Sequence, residues 1–105
     1  MQGFQITFIT TQERRHGHQL LSEWLITEVR RLGIGGATVT PASEGFGRDG
    51  KLHAAHFFEL AEQPLAITVV ASVADTERLF AYLHEAGVAV FYVKAPIEYG
   101  NLGNV

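Results

Sequence analysis

Residues 35 to 51 read Gly-Gly-Ala-Thr-Val-Thr-Pro-Ala-Ser-Glu-Gly-Phe-Gly-Arg-Asp-Gly-Lys, and the stretch changes character halfway. Thr38, Val39 and Thr40 are β-branched and suit a pleated backbone, so the first half reads as a strand. Gly45, Gly47 and Gly50 free the second half to adopt positive φ and to present bare N–H groups, so it reads as a loop. Arg48 and Lys51 add positive charge to that loop. Backbone N–H nests and guanidinium forks both match the oxygens of a phosphate-like anion, which makes the loop a candidate anion cradle.

Toward the N-terminus, Phe4, Ile6 and Phe8 alternate with Gln5 and Thr7, a period of two that predicts a first strand with one apolar face. Thr10 to Gly17 is polar and has no apolar period, which predicts a loop leading into a helix from about His18. There Leu21, Leu25, Val29 and Leu32 form one stripe, with Ser22, Glu23, Thr27, Arg30 and Arg31 on the wet side. Gly33 follows as a helix C-cap, and the second strand lies within residues 36 to 43, with Pro41 marking an edge.

Toward the C-terminus, Leu52 to Leu60 predicts a strand, Pro64 a turn, and Leu65 to Ser72 a further extended segment. Ser72 and Asp75 have capping-box spacing at the start of a second helix, whose inner stripe is Leu79, Phe80 and Leu83 and which Gly87 ends. Val88 to Val93 predicts the last strand, followed by a loose tail from Pro96.

The order is βαββαβ. Two right-handed split βαβ units give an α+β, ferredoxin-like fold: an antiparallel sheet with both helices on one face. Ile9, Val70, Phe91 and Val93 fall on the opposite phase to Phe8, Val69, Val90 and Tyr92, so the face without helices is apolar as well. An uncovered apolar face normally meets another subunit.

The whole chain of 105 residues fits one domain, and 47% hydrophobic residues with three prolines make it globular rather than disordered. No apolar run approaches the ~20 residues of a membrane span, and the first residues lack the pattern of a signal peptide. Zero cysteines exclude a disulfide framework, a thiolate nucleophile and a cysteine zinc site, and fit a cytoplasmic location. A formal charge of −3 argues against a general nucleic-acid binder. Gly45-Phe46-Gly47 superficially suggests an RNA-recognition motif, but Arg48-Asp49-Gly50-Lys51 follows where that motif continues as a strand of base-stacking residues.

His16-Gly17, Gly35 to Val39, Gly45-Phe46-Gly47, Leu52 to Ala55 and Leu65 to Val70 together resemble the PII-like proteins, and within them domain-of-unknown-function family 190. The resemblance implies a homotrimer with small-molecule sites in the clefts between subunits. It further implies a ligand-responsive loop at about residues 44 to 51 that addresses a partner, a membrane transporter or an enzyme. Carried over residue by residue, Thr38, Gly45, Phe46, Gly47 and Arg48 line the cleft, and Lys51 joins them through its charge. The chain departs from true PII proteins in two places. His84-Glu85-Ala86-Gly87-Val88 replaces a glycine- and lysine-rich phosphate loop, and the responsive loop is shorter and lacks a tyrosine. The expected ligand is a nucleotide or another small anion, with or without a divalent metal.

The alternative is a trimer that binds a divalent metal, for which His16 and His18 are the candidate ligands. His53 and His56, three apart on a strand, point to opposite faces and do not chelate together. Glu44, Asp49, Glu59 and Glu62 show no nucleophile-and-base spacing, so no catalytic residue is assigned and a non-enzyme is expected.

Overall fold

The computed structural model describes residues 1–42, 44–46, 52–54 and 63–103. In chain order its elements are β1 (Gln2–Thr11), β2 (Arg15–His16), β3 (Gln19–Leu20), α1 (Leu21–Arg31), β4 (Ala37–Pro41) and β5 (Glu44–Phe46). They continue as β6 (Leu52–Ala54), β7 (Pro64–Ser72), α2 (Val73–Glu85) and β8 (Phe91–Glu98). The main sheet has four antiparallel strands in the order β4-β7-β1-β8. Strands β2 and β3 form a small hairpin, as do β5 and β6.

Register fixes which residues share a face. Ile6 pairs with Val69 and Phe8 with Ile67, and all four are buried. Leu21, Trp24, Leu25 and Val29 of α1 and Leu79 and Leu83 of α2 join them in one core, so both helices cover the same face. Each of these buried side chains contributes about 1.5–3 kcal/mol through removal of apolar surface from water. Ser22, expected on the wet side of α1, is buried beside this core.

Both helices stop by the same device. Gly33 and Gly87 stand at φ 77° and 72°, left-handed values that glycine reaches without a Cβ clash. Gly33 N–H donates to Arg30 O and Ile34 N–H to Val29 O, while Gly87 N–H donates to His84 O and Val88 N–H to Leu83 O. These paired bonds satisfy carbonyls that a helix end leaves without partners. At the start of α2, Ser72 Oγ accepts from Asp75 N–H at 3.1 Å. Helix α1 has no side-chain cap, but Leu21 N–H donates to Arg14 O at 2.7 Å.

Four boundaries differ from expectation. Helix α1 begins at Leu21 rather than near His18, because residues 15–20 turn back as a hairpin about Gly17, which takes φ 63°. Pro64 opens β7 instead of making a turn; it lacks a donor but keeps its carbonyl, which accepts from Ala42 N–H at 2.9 Å. The last strand runs from Phe91 to Glu98, later at both ends than the expected 88 to 93, because it pairs along β1 from Ile9 to Gln2. The tail is correspondingly held: Tyr99 N–H donates to Met1 O at 2.9 Å. Pro96 is tolerated because β8 is an edge strand. Of the expected strand from Leu52 to Leu60, Leu52–Ala54 forms β6 and residues 55–60 lie outside the described residues.

Among the described residues, the second face of the sheet carries no helix. Ile9, Phe91 and Val93 lie there with 40%, 60% and 54% of their surfaces exposed. Ile9 pairs with Phe91, Thr7 with Val93 and Gln5 with Val70, which confirms the phase read from the sequence. Among the described residues, no helix is long and apolar enough to cross a membrane.

Candidate functional site

The edge strand β4 borders the segment singled out above. Thr38 pairs with Thr68, Thr68 with Thr7 and Thr7 with Val93, so Thr38 ends a row of three threonines on the face without helices. Its side chain is exposed. Two backbone bonds tie down the root of the 43–62 segment: Ala42 N–H to Pro64 O and Gln12 N–H to Gln63 O, each 2.9 Å.

Gly45 and Phe46 belong to β5 rather than to a loop, with Gly45 opposite His53 and Phe46 opposite Leu52. Gly47, Arg48 and Lys51 connect β5 to β6 and lie outside the described residues, as does His56.

On the helix side of β4 is an open groove of about 510 Å³ between α1, β3 and the sheet. Gln12, Gln19, Ser22 and Glu23 supply polar groups to it, and Val39 and Leu65 its apolar floor. Val39, not Thr38, faces this groove. Its one ionisable lining residue is Glu23, so among the described residues the groove offers an anion no cation of its own.

The histidine pair is divided. His16, half-buried on β2, sets its imidazole 4.3 Å from the Trp24 ring with the planes tilted by 47°. His18 is exposed in the turn, where its carbonyl accepts from Arg15 Nη1 at 3.1 Å. Among the described residues, no three His, Asp or Glu side chains come together to hold a metal ion.

One ionisable cluster escaped the sequence reading. Tyr82 hydroxyl donates to Glu28 Oε1 at 2.8 Å, Arg31 Nε donates to Glu28 Oε2 at 2.5 Å, and the Arg31 guanidinium lies 5.0 Å from the Tyr82 ring centre. The Arg31 and Tyr82 hydrogen bonds hold the Glu28 carboxyl below its usual 4.5. Trp24 stacks on Tyr82 at 5.9 Å, so the cluster joins α1 to α2. The Glu28–Arg31 spacing was visible in the sequence; Tyr82 lies 54 positions away and its partnership was not.

The strand order, the two helices on one face and the long connection between β4 and β7 define a ferredoxin-like α+β fold, the fold of solved proteins described as PII-like. The solved structures to which the chain is similar carry that description. One is a protein described as a PII-like signaling protein from Thermus thermophilus, at 23% identity over 91% of this chain and 87% of that one, with a TM-score of 0.66. Another is CPII of Thiomonas intermedia, a nitrogen regulatory PII-like protein bound to ADP, AMP and bicarbonate, at 16% identity over 96% and 91%, TM-score 0.65. A third is CPII bound to ADP and bicarbonate, at 14% identity over 96% and 91%, TM-score 0.65. The profile of the DUF190 family, described as "Uncharacterized ACR", matches residues 3–95, and the chain belongs to that family. No curated protein matches it.

Proposed function

We propose that the chain is a non-catalytic PII-like regulator that assembles as a homotrimer, binds a nucleotide or another small anion between subunits and signals occupancy through residues 44 to 51. The observation that carries this reading is the helix-free face, where Ile9, Phe91 and Val93 are exposed on paired strands of the main sheet. Such a face needs a partner, and a second and third copy of the chain supply one. Thr38 borders that face on the edge strand, at the root of the segment carrying the other proposed ligand contacts.

In this reading Gly45 and Gly47 offer backbone N–H groups, Arg48 and Lys51 provide charge, and Phe46 packs locally. The ADP, AMP and bicarbonate bound by the CPII neighbours are the first ligands to try. The regulated partner would be a transporter or an enzyme.

Calorimetric titration with ADP, AMP and bicarbonate, alone and in pairs, tests the ligand, and sedimentation in the same buffer tests the assembly. The expected result is a trimer with saturable binding of at least one of the three and a matching rise in Tm, because a ligand selective for the folded state must stabilise it. A monomer at micromolar concentration, or a trimer inert to all three, would overturn the corresponding half of the proposal.

A further inference from the structure

Sulfur is scarce in this chain, and its scarcity decides which side chains an oxidising radical meets. There is no cysteine and one methionine, against one tryptophan and three tyrosines. Cysteine and methionine are the residues that oxidants attack first in most proteins. Here the indole of Trp24 and the phenols take their place. Trp24 is 8% exposed and belongs to the core that both helices share, so an indole left oxidised would be a lesion in that core.

Trp24 lies against a tyrosine able to return the electron. The Trp24 and Tyr82 rings stack with centres 5.9 Å apart and planes 17° from parallel. Among the described residues the other ring beside Trp24 is that of His16, and an imidazole gives up an electron less readily than a phenol. The Tyr82 hydroxyl donates to Glu28 Oε1 at 2.8 Å. The Arg31 guanidinium, 5.0 Å from the Tyr82 ring centre, opposes positive charge on that ring. A phenol losing an electron there must therefore lose its proton as well. Glu28 is in place to take it, because the bonds from Arg31 and Tyr82 lower its pKa and keep the carboxylate ionised at neutral pH.

We propose that Trp24 and Tyr82 form a one-electron relay, in which an indole radical made at Trp24 by a radical oxidant is reduced by Tyr82 while the phenolic proton passes to Glu28. The oxidant takes one electron from the indole, whose N–H proton goes to water. One electron then moves from Tyr82 to Trp24, which recovers a proton from water, and Glu28 releases the phenolic proton to solvent. The products are the reduced oxidant, one proton and a tyrosyl radical. That radical sits on a half-buried ring, where a hydrogen-atom donor of the ascorbate class restores the phenol. The relay is built from one chain and does not depend on the trimer or on the site near β4.

Pulse radiolysis of the full chain with azidyl radical as the oxidant tests this, the indolyl and tyrosyl absorptions being followed at neutral pH. Expected is decay of the indolyl signal with matching growth of the tyrosyl signal, at a rate independent of protein concentration. Tyr82→Phe keeps the stacked ring but has no phenol, and should slow the indolyl decay at least about tenfold. Tyr92→Phe, at an exposed position on β8, should leave the rate unchanged. Should Tyr82→Phe fail to fold, Glu28→Gln, which keeps the tyrosine but accepts no proton, must slow the transfer and lengthen the indolyl lifetime. An indolyl signal that decays without tyrosyl growth, an equal rate in folded Tyr82→Phe, an equal slowing by Tyr92→Phe, or an unchanged rate in Glu28→Gln would each overturn the proposal.

Discussion

Ile9 and Phe91 stand opposite one another across β1 and β8, on the face of the sheet that no helix covers among the described residues, with 40% and 60% of their surfaces exposed. One row away Val93 pairs with Thr7 and is 54% exposed. Because Val93 keeps 54% of its surface exposed within one chain, Val93→Asp should cost an isolated subunit only about 1 kcal/mol, the span of strand propensities. Inside a subunit interface the same carboxylate costs several kcal/mol unless it neutralises. The expected outcome is a folded protein with native far-UV circular dichroism that sediments as a monomer. A folded Val93→Asp variant that stays trimeric would show that the contact uses another surface.

The Glu28–Tyr82 hydrogen bond makes a separate claim about pH. Glu28 has a folded pKa held below 4.5, first by Arg31 and then by Tyr82, so its pairing favours the folded state wherever the unfolded carboxyl is ionised. That stability is fully present above the unfolded pKa and is lost as pH falls through the lowered folded value. Denaturant unfolding should therefore show no contribution from this group to any change between pH 7 and 6, and a loss below about pH 4.5. Tyr82→Phe removes a partly buried bond to a charged acceptor and should cost about 1–2 kcal/mol at pH 7. It should also reduce the acid-side loss; an unchanged acid limb would assign that loss to other carboxylates.

Much of this architecture was legible because local chemistry and long-range pairing agree. Gly33 and Gly87 mark both helix ends by their left-handed backbone, Ser72 caps α2, and the alternation of Phe4 to Phe8 sets the buried phase of β1. Where pairing alone decides, the sequence misleads. The β2–β3 hairpin has two residues per strand, too few to show a period, and Gly17 was its one local sign. Pro96 looked like a stop, yet an edge strand needs no donor on its outer side, and β1 extends the ladder past it. Of the candidate site, glycines and charges singled out residues 45 to 51 as proposed contacts, but composition did not reveal that Gly45 and Phe46 pair with β6 or that Val39 rather than Thr38 faces the groove.

His16 offers a test that separates packing from metal binding. Its imidazole rests on Trp24, the one tryptophan of the chain, so His16→Ala should lower Tm and shift the tryptophan emission, while His18→Ala at the exposed turn should do neither. The double variant should leave nucleotide or bicarbonate binding intact. Calorimetry with zinc decides the rival reading: tight binding by the parent, lost in the double variant, would make the histidines ligands and favour the metal-binding trimer.

Arg48 carries the sharpest claim about the ligand. Its proposed partner is an anion, and losing a charge-assisted contact removes about 1–3 kcal/mol of binding, roughly a five- to 150-fold rise in Kd. Arg48→Lys keeps the charge but loses the planar fork, so it should recover only part of that affinity. If Arg48 acts on the ligand alone, the Tm of the ligand-free Arg48→Ala variant matches that of the parent, and the ligand-induced rise in Tm shrinks in step with the weaker binding. If Arg48 instead supports the fold, the ligand-free Tm falls while Kd holds. Measuring both quantities on the two variants, with the best ligand of the ADP, AMP and bicarbonate set, distinguishes a binding residue from a structural one.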